Sequence, residues 1–424
     1  MNPTYITREL RASSGERFAI LLYADGGHPL YWPNLFALTQ LRACSLATNT
    51  ICRALQNIGF LHQWAAAREI DIDHRLVHGD FLTLDEVESL ANELRYSRRY
   101  LVRKGKAGGH PKRHSLEAVR RKLRTHTART VGTYEASIRI ADIALYLEWH
   151  ATRRTTKLVD AAAGSHLRAL TQSVINHLRS LKPKSKSSDS DVGRTGLLPT
   201  QRSVLLGAIR PDSEANPFRG EFQRLRNYLY ISLAYQVGYR RGESLQLKVE
   251  DIDVHLRLLR IHRSADDKSD LRSVQPRTKT LARTVPLSAE LAEELYDYID
   301  RVWSKIPVSQ RRHGFVWTTV NGHPLALSTV NDMFRRLRKA VPDLPPDLTP
   351  HTLRHDWNER FSEAIDALPP ERKPGDDKES RTRCHMMGWT AGSSMAGNYT
   401  RRYVREKAAE IAEEMTRRLT DQPD

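Results

Sequence analysis

Four side chains, far apart in the chain, are of the types needed to hold a phosphodiester and attack it. Arg240 lies in Gly238-Tyr239-Arg240-Arg241-Gly242-Glu243. His351 and Arg354 lie in Thr349-Pro350-His351-Thr352-Leu353-Arg354-His355, and Tyr399 follows near the C-terminus. Two planar guanidiniums can grip non-bridging oxygens and stabilise a more negative transition state. Such a fork is poorly replaced by lysine. An imidazole can move a proton, and a phenol can attack. A free phenol with a pKa near 10 is only roughly 0.1% ionised at pH 7, a deficit of about 4 kcal/mol that the cations must offset. Taken singly, each piece is ambiguous. Gly-x-Arg-x-x-Glu reads by default as a surface ion pair in which Glu243 holds the Arg240 guanidinium. A histidine and an arginine in a first helical turn often only cap and solvate it.

The elements that must position these groups are legible around them. Thr349-Pro350 is a helix start, with an N-cap threonine and proline at the first helical position. His351 and Arg354, at i and i+3, then share one face of a turn whose backbone N–H groups favour an anion. A long helix is expected over 218–237, with Gly238 placed to end it. Segments 256–263 and 282–287 read as strands. Ser288 caps a helix with Glu290, Glu293 and Glu294 early and Lys305 late. Asn321-Gly322 marks a tight turn before a helix from Ser328. Thr200 is the expected N-cap of the first helix of this region.

The first 180 residues read as mostly α. Leu55, Ile58, Leu61 and Trp64 recur as one buried helical face, Thr83 opens a helix through Glu93, and 133–150 repeats the period. A short hairpin is expected within 1–30, with Asp25-Gly26-Gly27 as its turn. Segment 95–129 holds 13 Lys+Arg and one acid, Glu117. Its Arg98, Arg99, Arg103, Lys104, Lys106, Lys112, Arg113, Arg120, Arg121, Lys122 and Arg124 are candidates for phosphate contact. Such contacts give affinity and salt dependence without sequence reading. A Ser/Lys-rich stretch, 181–197, lacks periodicity and reads as a linker.

Bulk composition agrees. A chain of 424 residues implies two to three domains, and 39% hydrophobic content suffices for ordinary cores. The net charge of +17 favours a polyanionic partner, and residues 1–200 hold 30 Lys+Arg against 18 Asp+Glu. Cys44, Cys52 and Cys384 make neither a disulfide framework nor a zinc site. No carboxylate cluster has metal-site spacing, which argues against a metallonuclease. No run approaches the roughly 18 apolar residues of a membrane span, and no leader is evident. A cytoplasmic, nucleoid-associated protein without membrane attachment is expected.

The order of these boxes, continued by Met387-Gly388-Trp389 before Tyr399, resembles the tyrosine recombinases, the phage-integrase family of site-specific DNA recombinases. The resemblance covers about 198–424. It implies a multidomain, mainly α protein with a small antiparallel β-sheet: an N-terminal extension (1–32), a helical core-binding domain (33–180, with the basic insertion 95–129), the linker, and an α+β catalytic domain (198–424). It implies that Arg240 and Arg354 bind the phosphate, that His351 is the first histidine of the His-x-x-Arg box, and that Trp389 stands where most members have histidine. Tyr399 is then the nucleophile and Lys279, on a hairpin, the general acid. Lys268 is the second candidate for that lysine and Tyr403 for the nucleophile, because Trp389 and Tyr399 are ten residues apart. The implied reaction is cleavage and rejoining of double-stranded DNA through a 3′-phosphotyrosine, with neither cofactor nor metal nor ATP. The implied assembly is a dimer per site and a tetramer in synapsis, with partner recombinases possible. A C-terminal helix carrying Val404, Ala408, Ile411, Met415 and Leu419 would dock in trans. Two other functions fit the same fold: a non-cleaving DNA-binding regulator or accessory subunit, and a type IB topoisomerase-like nicking and closing enzyme.

Overall fold

The computed structural model describes residues 4–97, 130–184, 196–263, 267, 270–276, 278, 280–391, 393 and 408–417. The chain divides into two compact units, Met1–Asp189 and Ser190–Asp424. Both are mainly helical, and each carries one small antiparallel sheet.

In the first unit, β1 (Tyr5–Arg11) pairs antiparallel with β2 (Arg17–Tyr23), in register from Tyr5↔Tyr23 to Arg11↔Arg17. The connecting turn is at Ala12–Glu16, where Gly15 has φ +82. Asp25-Gly26-Gly27 instead turns the chain after β2 into the single bridge Leu22↔Pro29. This corrects the expected hairpin, whose loop precedes the apolar run. The helices are α1 (Tyr31–Phe36), α2 (Thr48–Ala66), α3 (Ile72–His78), α4 (Leu84–Glu93), α5 (Thr133–Thr155) and α6 (Ala161–Ser180). The threefold periodicity of α2 puts Leu55, Ile58, Leu61 and Trp64 in the core beside Tyr5 and Leu21 of the hairpin. Thr83 starts α4 with a reciprocal cap: its hydroxyl accepts from Glu86 N at 3.3 Å and its N–H donates to Glu86 at 2.8 Å.

The second unit begins against a later helix. Gly196 N donates to Glu359 at 2.7 Å, and Leu197 N to Asp356 at 3.1 Å. The first helix, α7 (Pro199–Ile209), has Leu198 rather than Thr200 at its N-cap. Pro199 sets this start two residues earlier, because its ring fixes a helical φ and its missing N–H needs no partner. Then come α8 (Glu221–Val237), α9 (Arg241–Leu245), and a three-stranded antiparallel sheet of β3 (Ile252–Asp253), β4 (Leu258–Ile261) and β5 (Arg283–Pro286). Helices α10 (Ala289–Arg301), α11 (Val308–Arg311), α12 (Leu327–Ala340), α13 (Pro350–Asp366) and α14 (Asp376–Met387) follow. Ser288 caps α10 by accepting from Leu291 N at 3.2 Å. The inward faces of α8, α10 and α12 meet the sheet through Leu229, Leu233, Leu295, Phe334, Leu259 and Val285.

The sheet register decides one polar position. Leu259↔Val285 and Ile261↔Arg283 are paired, so Arg283 shares the inward face with Val285. A cation placed there must find buried partners. None of the described helices is long and apolar enough to cross a membrane.

Candidate active site

The site is assembled where two helices end in glycine. Gly238 closes α8 and Gly388 closes α14, each at φ +64 in the left-handed region. Space, as well as φ, requires glycine at both. A Cβ at Gly238 would stand 2.7 Å from Trp357 Cγ, and one at Gly388 would stand 2.6 Å from Arg283 Nη1.

Arg354, on α13, spans the two ends. Its Nη1 donates to Gly238 O and its Nη2 to Met387 O, each at 2.8 Å. Both carbonyls belong to helix C-termini, the negative ends of the helix dipoles, so the cation is stabilised where it is buried. Arg354 is 0% exposed, and its guanidinium lies 5.4 Å from the Trp389 ring centroid. His351, one turn earlier, is half-buried, and its ring meets His355 edge-on at 4.6 Å. The two residues thus differ in depth, although their spacing puts them on one side of the helix. The α13 start is as expected: Thr349 accepts from Thr352 N at 3.3 Å, ahead of Pro350.

Arg240 precedes α9, and its side chain is 29% exposed. Glu243 holds it differently from the sequence expectation. Oε2 of Glu243 accepts from Arg240 N at 3.1 Å, whereas Arg240 Nη1 stays 3.6 Å from Oε1. The short bonds to this fully buried carboxylate come from elsewhere: Arg283 Nη2 at 2.8 Å and Thr280 Oγ1 at 2.6 Å. Burial alone would raise the Glu243 pKa. The charges of Arg283 and Arg354, with the bonds from Thr280 and Arg283, outweigh it and hold the carboxyl below its ordinary value.

Arg283 is the residue that sequence reading missed. Its side chain is 1% exposed, and besides Glu243 it donates to Met386 O at 2.7 Å and Thr280 Oγ1 at 3.3 Å. The signal was available in β5. If Val285 and Leu287 face inward, period-two alternation turns Arg283 inward too, and a buried arginine implies a carboxylate.

The structure therefore brings Arg240, Glu243, Arg354 and Trp389 around one buried network, with His351 on the adjoining turn of α13. Lys279, Lys268, Tyr399 and Tyr403 lie outside the described residues. So do Arg98, Arg99, Arg103, Lys104, Lys106, Lys112, Arg113, Arg120, Arg121, Lys122 and Arg124. The neighbours of position 279 are described. Thr278 donates to Gln246 at 3.0 Å and Thr280 to Glu243, so both are tied to the α9 corner.

Residues 213–365 match the family model described as Phage integrase family. Over that stretch the chain is similar to the phage integrase, or tyrosine recombinase, family. The matched stretch includes Arg240, Glu243, Arg283, His351 and Arg354 and ends before Trp389. Among solved structures, the chain is similar to XerA recombinase at 15% identity, covering 90% of this chain and 97% of that one with a TM-score of 0.37. XerH recombinase bound to palindromic difH, in a post-cleavage complex, aligns at 14% identity over 90% and 95% of the two chains, TM-score 0.44. The Tn1549 transposon integrase in complex with circular intermediate DNA aligns at 17% over 71% and 93%, TM-score 0.38. No curated protein matches the chain.

Proposed function

We propose that this protein is a site-specific DNA recombinase or integrase that cleaves and rejoins double-stranded DNA through a 3′-phosphotyrosine. The observation that carries the reading is the convergence of Arg240, Arg354 and Trp389 on one corner of the region similar to the phage integrase family. Glu243 bonds Arg240 N and Arg283, Arg283 reaches the helix end before Trp389, and Arg354 packs on the Trp389 ring. On this reading the Tyr399 phenolate attacks phosphorus and the bond to the 5′ oxygen breaks. Lys279 donates the proton that makes the leaving group a 5′-hydroxyl. The covalent phosphotyrosine conserves the bond energy for rejoining, so no ATP is needed.

On this reading the two arginines divide the labour. Arg240, partly exposed, is the guanidinium open to a phosphate. Arg354, held on two helix-end carbonyls, is a fixed positive charge beneath the site. Trp389 cannot titrate; it packs against Arg354 and offers one indole N–H. Arg98 to Arg124 supply phosphate contacts along the duplex, and the protein acts as a tetramer on paired sites. The helix at 408–417 presents Ile411 and Met415 to solvent, which suits docking in trans.

A nicked suicide substrate carrying the cognate site tests the reaction. In the presence of EDTA the wild type should give an SDS-resistant protein–DNA adduct, and Tyr399→Phe none. An adduct that survives Tyr399→Phe but is lost in Tyr403→Phe moves the nucleophile. Binding without any adduct favours a non-cleaving regulator of the same fold. Relaxation of supercoils without strand exchange favours the topoisomerase-like activity.

A further inference from the structure

We propose that Arg283 is a positioning residue for the leaving-group step: it fixes the segment on both sides of position 279 against the Arg240 corner and the Trp389 turn. The inference rests on the recombinase reading above, in which Lys279 is the proton donor.

Three separate features converge on Arg283. Its Nη2 is bonded to Glu243, the carboxylate that also accepts from Arg240 N. Its Nη1 is bonded to Thr280 Oγ1, which itself donates to Glu243. Its Nε is bonded to Met386 O, in the last turn of α14 before Gly388-Trp389. One guanidinium thereby connects three stretches of chain that each supply a candidate site residue. The backbone agrees: Leu281 N donates to Gly388 O at 2.9 Å. Glycine at 388 leaves the room, since a Cβ there would press on Arg283 Nη1 and on Thr280 Cβ at 2.8 Å. Thr278 adds a second anchor through Gln246. Residues on both sides of 279 are therefore pinned to α9, the helix that follows Arg240, and to Gln246 that ends it.

Lysine cannot reproduce this, because it lacks the planar fork that reaches three acceptors at once. A general acid is worth roughly 10²–10⁴-fold in rate when correctly placed. Loss of its placement should cost a comparable part of that factor, and only for leaving groups that need a proton.

The test compares single-turnover adduct formation on two suicide substrates, one with the natural 5′ oxygen and one with sulfur in that bridging position. A thiolate leaves without protonation because a thiol is far more acidic than an alcohol. Arg283→Lys should slow the oxygen substrate by about 100-fold or more and the sulfur substrate by less than about 10-fold. Lys279→Ala should show the same split. Thr278→Val, a nearly isosteric change at the second anchor, should show a smaller split of about 10-fold in the same direction. Equal slowing of both substrates in Arg283→Lys and Thr278→Val would mean that the cluster serves only the fold, and would overturn the proposal. Failure of the wild type to form an adduct with either substrate would instead defeat the recombinase reading and the proposal with it.

Discussion

Each unit buries a cluster of titratable groups, and the two are built on opposite plans. In the second unit Glu243, Arg283 and Thr280 are joined by short bonds, and Arg283 and Arg354 donate to helix-end carbonyls. The charges persist because each has a partner. In the first unit His62, Asp73, Tyr146 and His150 lie together between α2, α3 and α5. His62 Nε2, Asp73 Oδ1, Tyr146 OH and His150 Nε2 are buried without hydrogen-bond partners among the described residues. His62 Nε2 is 3.8 Å from Asp73 Oδ1, too far for a hydrogen bond. Burial pushes His62 down to about 4 and, with the charges of His62 and Arg153, His150 down to about 3. Burial and Asp71 push Asp73 up to about 6. The two histidines are held neutral rather than paired, and Asp73 is pushed toward its protonated form. Among the described residues no three His, Cys, Asp or Glu side chains are placed to hold a metal ion. The contrast teaches that a buried charge is kept where a network can satisfy it and discharged where one cannot, and the satisfied network lies beneath the candidate chemistry.

The largest expected effect comes from breaking the paired cluster. Glu243→Ala leaves Arg283 buried without its carboxylate and should destabilise the second unit by about 3–5 kcal/mol. Peptide-resolved hydrogen exchange should show the loss in α8 and α13 and leave α2 and α5 unchanged. A loss shared equally by both units would remove the contrast. Next comes Gly388→Ala, which combines a left-handed φ with contact on Arg283 and should cost roughly 2–4 kcal/mol by chemical denaturation. Wild-type stability there would show that the Arg283 network yields easily.

A pH series sharpens the comparison further. Folded His62 and His150 have pKa values below the ordinary 6.5, so their contribution is fully present above 6.5 and is lost as pH falls toward about 4 and about 3. Asp73 works in the opposite sense: raised from 3.8 to about 6, it takes up its proton first in the folded state and so favours folding as pH falls. Two histidines against one carboxylate leave acid destabilisation as the net effect. Glu243, held below its ordinary 4.5, keeps its stabilisation down to that value and loses it only on further acidification. Between pH 6.5 and 4.5 protection, corrected for the intrinsic exchange rate at each pH, should therefore fall in α2 and α5 well before α8 and α13. The reverse order would contradict the assignment of neutral histidines. The smallest effect belongs to Tyr146→Phe. It deletes a hydroxyl with no described partner and should leave stability within about 1 kcal/mol of wild type or improve it. A loss above about 2 kcal/mol would show that the hydroxyl is well bonded after all.

Much of the local structure was legible in the residues. The caps at Thr83, Ser288 and Thr349 start helices because a side-chain oxygen satisfies a backbone N–H that sequence neighbours supply. Gly238 ends α8 for an equally local reason, its freedom to take φ +64. The hairpin was displaced because two glycine-containing turns flank β2, and only pairing with β1 selects between them. Thr200 failed as a cap because Pro199 had already fixed the helix start.

The sequence by itself determined which residue types stand in which order, and hence that two arginines, a histidine and a late tyrosine could serve a phosphodiester. Those properties follow from side-chain chemistry and short-range periodicity, which need no knowledge of distant contacts. Only the tertiary structure decided that Arg354 is buried while Arg240 is open, and that Glu243 bonds Arg283 more closely than the guanidinium three residues before it. The physical reason is that burial and pairing depend on which chain segments cross. At this site, separate stretches around 240, 283, 354 and 388 meet, and the partner of each charge comes from another stretch.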